Sequence, residues 1–341
     1  MAIVEHLIAD TFGTHIGKYQ GRLKITKRRE VLAQAPLLHL HSVTIASTGV
    51  SISADALRAC CEHGIPVHFV SGRGQVYASL YSAGLTGTIL TRRAQLEAYR
   101  DWRGKHVAIA FAMGKIRNQA ATLKYLAKTR TGSAPQAAEE LRLCAGEVAD
   151  YEEKLRRIEG PTCDDARPTV LTAEAHAAKK YWAAVRAIIP AKYGWQARKG
   201  RGATDPVNSL LNYGYGILYA QVERAIVLAG LDPYAGFIHA DRPGKPSLVL
   251  DLIEEFRQAA VDRVVFGLLN RQFAVEQDES ARLSQETRRT LATHILEHLE
   301  AGVRYEGKRQ PLRVALQSQA RHLATFLRGD REGYDAFQAG W

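Results

Sequence analysis

Nothing in this chain is apolar for long enough to span a bilayer, and no Lys-rich amphipathic tail stands out. Membrane insertion is therefore not expected. Cysteine is scarce. Cys60, Cys61, Cys144 and Cys163 show no CxxC spacing, which argues against a zinc ribbon or disulfide framework and suits reduced intracellular thiols. The opening MAIVEHLIAD lacks the basic start and apolar core of a secretory signal, so a cytoplasmic location is expected. No repeat of fixed period and no low-complexity tract is present.

What is present is positive charge. The 341 residues carry a formal net charge of +11, with a pI near 9.5. Such an excess favours a polyanionic partner. A hydrophobic content of 46% with 24% charged residues is ordinary for a soluble globular protein, and the length suffices for two domains.

The pattern changes near residue 85. Before it, short apolar runs alternate with turn residues: IVEHLIA from Ile3, THIGKY from Thr14, RLKIT from Arg22, SVTIAS from Ser42, PVHFVS from Pro66 and QVYASLY from Gln75. These predict strands joined by tight turns such as Gln20-Gly21. One helix, ADALRACCEHG, is predicted among them, capped by Ser53 and ending on Gly64. Helical periodicity then covers residues 91–128, 134–159, 172–189, 206–229, 247–270, 284–301 and 311–328. The expected class is α+β: a small β-rich domain over 1–85 and a larger all-α domain over 86–341. The basic, Gly-rich YGWQARKGRGAT from Tyr193 is expected to be a mobile loop.

The chemistry concentrates in LDPYAGFIHADRPGKPSLVLDLIEEFR, residues 231–257. His239 lies in a loop with Arg242 and Lys245. Asp251, Glu254 and Glu255 follow on a predicted helix whose Leu252, Phe256, Ala260, Val264 and Leu268 form a buried stripe. Imidazole plus carboxylates outlines a transition-metal site, and the two cations suit a phosphate. Plainer readings stand beside these: an acidic first turn that favours the helix dipole, and a loop histidine that only hydrogen-bonds. Glu174, in LTAEAHAAKKYWAAV, is a third candidate. His176 points about 200° away from it on a helix and can hardly face the same ion. In the segment from Ala203, Asp205 caps a helix and Pro206 opens it. Asn208, Asn212 and Tyr215 line up on that helix, either as a buried hydrogen-bond network or as part of a DNA-facing site.

Several longer segments now resemble a known family. They are VSISADALRACCEHGIPVHFVSGRGQVYASL from Val50, EAHAAKKYW from Glu174, DPVNSLLNYGYGILYAQVERAIVLAGLDPYAGFIHADRPGKPSLVLDLIEEFR from Asp205, and YDAFQAGW from Tyr334. With them the chain resembles, nearly end to end, the CRISPR-associated endonuclease/integrase of spacer acquisition, the family numbered one among Cas proteins. The resemblance implies a β-sandwich-like N-terminal dimerisation domain ahead of a helical catalytic domain. It implies Mg²⁺ or Mn²⁺ bound by Glu174, which precedes Tyr181-Trp182 as the family's glutamate does, by His239 ending GFxH, and by Glu254 in DLxEEF. Asp251 is a possible further ligand and Glu255 a structural neighbour. Two departures touch DNA contacts more than ligands: Ala175-His176 where the family often has Gly-Asn, and Lys179-Lys180 where an Arg is usual.

The implied activity is phosphodiester transesterification, in which the 3′-hydroxyl of a short DNA attacks a phosphate at the repeat end of a CRISPR array. Arg242 and Lys245 would hold the DNA end. Lys179, Arg198, Lys199 and Arg201, with Asn208 and Tyr215, would meet DNA elsewhere. The implied partners are double-stranded DNA, a second copy of the chain, and a small ferredoxin-like protein, in a prokaryotic cytoplasm. A non-catalytic DNA-binding scaffold is the rival reading.

Overall fold

The computed structural model describes residues 5–81, 88–200 and 202–340. Among these, the first strands are β1 (His6–Ala9), β2 (His15–Tyr19), β3 (Arg22–Lys27), β4 (Glu30–Pro36), β5 (Ser42–Ile45), β6 (Ser51–Ile52), β7 (Val67–Val70) and β8 (Val76–Leu80). They form two four-stranded sheets, ordered β1-β5-β7-β8 and β4-β3-β2-β6. Each predicted run holds a strand, and β4 and β6 are additions. Gln20 and Gly21 both take positive φ, 45° and 72°, the backbone that lets a two-residue hairpin follow strand twist.

Leu7, Val43, Ile45 and Val67 from one sheet meet Ile16, Leu23 and Ile25 from the other in a single apolar core. The helix α1 (Ala54–Glu62) adds Ala56, Ala59 and Cys60 to that core. Ser53 caps α1 through the Ala56 N–H, as the sequence predicts. The boundary expected between residues 85 and 86 falls outside the described residues.

The second half is mainly helical: α2 (Thr88–Ala98), α3 (Trp102–Lys128), α4 (Pro135–Ala149), α5 (Tyr151–Arg156), α6 (Cys163–Ile188) and α7 (Pro206–Leu228), then α8 (Ser247–Leu252), α9 (Arg263–Asn270), α10 (Gln285–Glu300) and α11 (Leu312–Arg328). Residues 91–128 are two helices rather than one, because Asp101 leaves helical geometry and caps α3 through the Arg103 N–H. The start of α6 lies at Cys163 instead of residue 172. A reciprocal capping box between Thr162 and Asp165 sets that start, and Pro168 is accommodated inside the helix.

The all-α expectation fails between α10 and α11. There β9 (Gly302–Tyr305) and β10 (Lys308–Pro311) form a hairpin around Glu306 and Gly307, both of positive φ. The expected helix over 247–270 also breaks. Residues Ile253–Glu255 tighten into a 3₁₀ turn and Gln258–Asp262 widen into a π-helical turn, a mid-helix irregularity frequent at functional sites.

The two halves meet through polar ties. Glu223 on α7 accepts from Ser79 at 2.9 Å and Tyr81 at 3.2 Å. His6 and His41 approach Glu300, which Arg313 grips at 2.6 and 2.7 Å. No described helix is long and apolar enough to cross a membrane, and all four cysteines are free.

Candidate active site

Glu174 on α6 and Glu254 on the 3₁₀ turn, 80 residues apart in sequence, meet on Lys115 of α3, and the loop of His239 precedes that turn. On α6 the small and apolar stripe Val170, Ala173, Ala177, Tyr181 and Val185 is buried, and Glu174 sits at its edge, largely buried itself. Lys115 projects from α3 to Glu174 as an ion pair. The same ammonium lies 2.8 Å from Glu254 Oε2, while Arg257 Nε donates to Glu254 Oε1 at 3.0 Å. Burial opposes ionisation of Glu254, but Arg257 and then Lys115 outweigh it and hold the carboxyl at about 2. Burial likewise works against charge on Lys115, yet Glu254 and then Glu174 raise its pKa above that of an ordinary lysine.

His239 is placed from behind. Asp251 is fully buried, and its carboxylate accepts the N–H groups of Phe237, Ile238 and His239 at 2.6, 3.0 and 3.0 Å. It also meets His239 Nδ1 at 2.6 Å. Both oxygens are thereby engaged twice. In this geometry Asp251 is a brace for the imidazole rather than a further ligand, and it leaves Nε2 as the ring nitrogen for a ligand role. A glycine is needed here, because a Cβ on Gly236 would lie 2.8 Å from Asp251 Oδ2. Arg167 on α6 fixes the same loop by donating to the Ile238 carbonyl at 2.9 Å.

The residues fit a hard divalent cation. Two carboxylates already share one cationic group, the Lys115 ammonium, and Glu254 Oε2 is buried without a well-directed hydrogen bond. Oxygen donors plus one imidazole suit Mg²⁺ or Mn²⁺. The site is not drawn tight around an ion. Among the described residues the trio whose ligand atoms lie within 4.8 Å of one another is His6, His41 and Glu300, where Arg313 already neutralises the carboxylate.

A family model described as CRISPR associated protein Cas1 matches residues 7–297. The chain belongs to the Cas1 family. A CRISPR-associated endonuclease Cas1 of Archaeoglobus fulgidus is 38% identical over 346 residues, covering 98% of this chain and 99% of its own. One from Korarchaeum cryptofilum is 31% identical over 96% of each chain. In fold, a casposase bound to integration product matches with a TM-score of 0.81 at 22% identity, over 97% of this chain and 93% of that one. A Cas1 protein from Thermotoga maritima matches at 0.79 and 18%, over 98% and 100%. A Cas6-RT-Cas1–Cas2 complex matches at 0.77 and 21%, over 98% of this chain and 36% of that one.

The other residues expected at a Cas1 site scatter. Arg242 is exposed and Lys245 half-exposed, at the mouth of a 440 Å³ depression they share with Tyr234 and Asp241. Lys179 and Lys199 are exposed. Arg198 is half-buried and engaged within the protein. It donates to Asn208 at 3.1 Å and Asn212 at 2.7 Å, and its guanidinium lies 5.3 Å from the centre of the Tyr215 ring. Asn208 is buried and also accepts the Lys199 N–H. Tyr215 is buried too, and with Tyr181 it donates to Asp262, so the polar ridge of α7 is an internal network. These ties, with buried Tyr193 and Trp195, anchor the first part of the segment expected to be mobile. Arg201 lies outside the described residues.

Lys115 was invisible to the sequence pattern, since a lysine on a long helix is normally solvated. Its isolation between Phe111, Ala112, Gly114 and Ile116, all buried, is the signal that could have marked it.

Proposed function

We propose that this protein is a metal-dependent DNA endonuclease and integrase that inserts short DNA spacers into a CRISPR repeat by 3′-hydroxyl transesterification. The observation that carries the reading is the convergence of Glu174 and Glu254 on one cation, Lys115, beside a braced His239. The ligand set is Glu174, His239 and Glu254. A bound Mg²⁺ or Mn²⁺ supplies Lewis-acid charge to the attacking hydroxyl and to the scissile phosphate.

The chain's own residues prepare that chemistry. Asp251 fixes the ring orientation of His239. Arg257 and Lys115 keep Glu254 ionised at any working pH. Glu174 and Glu254 would hold the ion where Lys115 now pairs with both, and the Lys115 ammonium would then be free to pair with a phosphate oxygen. Arg242 and Lys245 offer charge-assisted hydrogen bonds to a DNA end, and Lys179 and Lys199 meet the backbone of double-stranded prespacer or repeat DNA in a salt-dependent way.

The N-terminal domain pairs two copies of the chain, and a small ferredoxin-like protein bridges such pairs. Support comes from the likeness to a chain of a Cas6-RT-Cas1–Cas2 complex and from exposed Val31, Leu32 and Tyr77 on the N-terminal half.

The test is an integration assay on supercoiled repeat DNA with Mn²⁺. Wild type should nick or join the repeat, and His239→Ala should do neither while still binding DNA. Equal activity in the variant would overturn the ligand set. DNA binding without any activity in wild type would favour the scaffold reading.

A further inference from the structure

We infer that the C-terminal segment Tyr334–Gly340 is a strap that positions Glu254, acting through Glu255 and dependent on Gly114. The inference rests on the ligand role proposed for Glu254. The strap has no regular secondary structure apart from one bridge of Gly340 to Arg304, yet Tyr334, Phe337 and Ala339 are buried. Its polar groups converge on the 3₁₀ turn that carries Glu254. Glu255 accepts from Tyr334 Oη at 2.5 Å and from the Phe337 N–H at 2.7 Å. Gln319 on α11 adds a third donor at 2.8 Å.

Asn118 on α3 clasps turn and strap together. Its amide donates to the carbonyls of Glu255 and Phe337, both at 2.8 Å, and its oxygen accepts the Ala339 N–H at 2.8 Å. The Phe337 ring stacks on Phe256 with centroids 4.7 Å apart. Glu254 thus immediately precedes a residue held by the strap, and Arg257 grips its own carboxylate. A short 3₁₀ turn makes few hydrogen bonds of its own, so its direction is set from outside.

Gly114 gives this arrangement its space. A Cβ there would stand 2.7 Å from Ala336 Cβ and 3.1 Å from Glu255 Cγ. Alanine is the better helix former, so any harm done by Gly114→Ala reports crowding at the strap rather than weakness of α3. Glu255 and Tyr334 are buried behind the turn and act as positioning residues.

The experiment titrates Mn²⁺ into the full-length protein by electron paramagnetic resonance, with DNA binding in EDTA measured alongside. Gly114→Ala and Tyr334→Phe should weaken Mn²⁺ about 10- to 100-fold, the range for residues behind a ligand, with metal-free DNA affinity unchanged. Leu141→Ala, a core change on α4 away from the strap, should lower the melting temperature and leave Mn²⁺ affinity intact. Wild-type affinity in both strap variants, or equal loss in Leu141→Ala, would overturn the inference. Glu254→Gln separates the two readings: full Mn²⁺ binding there defeats the ligand assignment itself, whereas loss there with none in the strap variants defeats only the strap.

Discussion

Glu254 and Glu255 are consecutive residues of one turn, both buried, and they live in opposite electrostatic worlds. Glu254 meets two cations, Arg257 and Lys115, which overcome burial and hold it at about 2. On the side facing the C-terminal strap, Glu255 meets no cation among the described residues. Burial raises it to about 7, with Tyr334, Gln319 and the Phe337 N–H only partly offsetting that rise. One side of the turn keeps a negative charge, which the proposed metal would use. The other uses a carboxyl group as a hydrogen-bonding hub. The difference shows that burial alone does not mark a functional acid; the charge of its partners does.

The largest difference is expected when each carboxyl is replaced in turn by an amide. Glu254→Gln should lose integration by about 10²- to 10⁴-fold, several kcal/mol of transition-state stabilisation. Glu255→Gln, which disturbs the strap and so metal affinity, should keep most of the rate once Mn²⁺ is saturating. Comparable losses in both would erase the distinction, and initial rates at saturating DNA and Mn²⁺ decide it.

Removing the shared cation comes next. Lys115→Met leaves Glu174 and Glu254 facing each other, and the metal-free protein should lose about 3 kcal/mol, the scale for breaking a buried ion pair. Mn²⁺ should restore stability more strongly than in wild type, because the ion no longer competes with the ammonium. Urea unfolding in EDTA and in Mn²⁺ measures both effects, and a variant as stable as wild type in EDTA would contradict the ion-pair reading.

A third difference is in pH dependence of the metal-free fold. The raised pKa of Glu255 means that the folded protein keeps a proton the unfolded chain releases, so this group lowers stability as pH rises from 4.5 to about 7. The depressed Glu254 contributes stability that is complete above 4.5 and is lost as pH falls toward about 2. The amide variants should flatten these two slopes separately.

The smallest effect is expected at exposed Lys179. Lys179→Ala should leave stability within about 0.5 kcal/mol of wild type and reduce the salt dependence of DNA binding by about one phosphate contact. An unchanged salt slope would remove Lys179 from the DNA path.

Much of this architecture is written locally. Period-two runs marked most of the N-terminal strands, Ser53 and Asp205 marked helix starts, and the segments around Glu174, His239 and Glu254 marked the candidate ligands. The hairpin after α10 escaped because its two four-residue strands lie between strong helical patterns. The broken helix escaped because a four-residue spacing of apolar side chains looks the same whether the backbone stays α-helical or tightens and widens in turn. Asn208 and Tyr215 were left between two readings because a polar ridge is the same sequence whether it faces DNA or a buried aspartate.

Residue type, spacing and local propensity carry the fold class, the family and the candidate acids and histidine. The separate roles arise on folding: Asp251 braces His239, Glu254 stays ionised and Glu255 is the hub of the C-terminal strap. Charge state and direction are set by partners such as Lys115, Asn118 and Tyr334, which stand 79 to 139 residues from these acids along the chain and beside them only once it has folded.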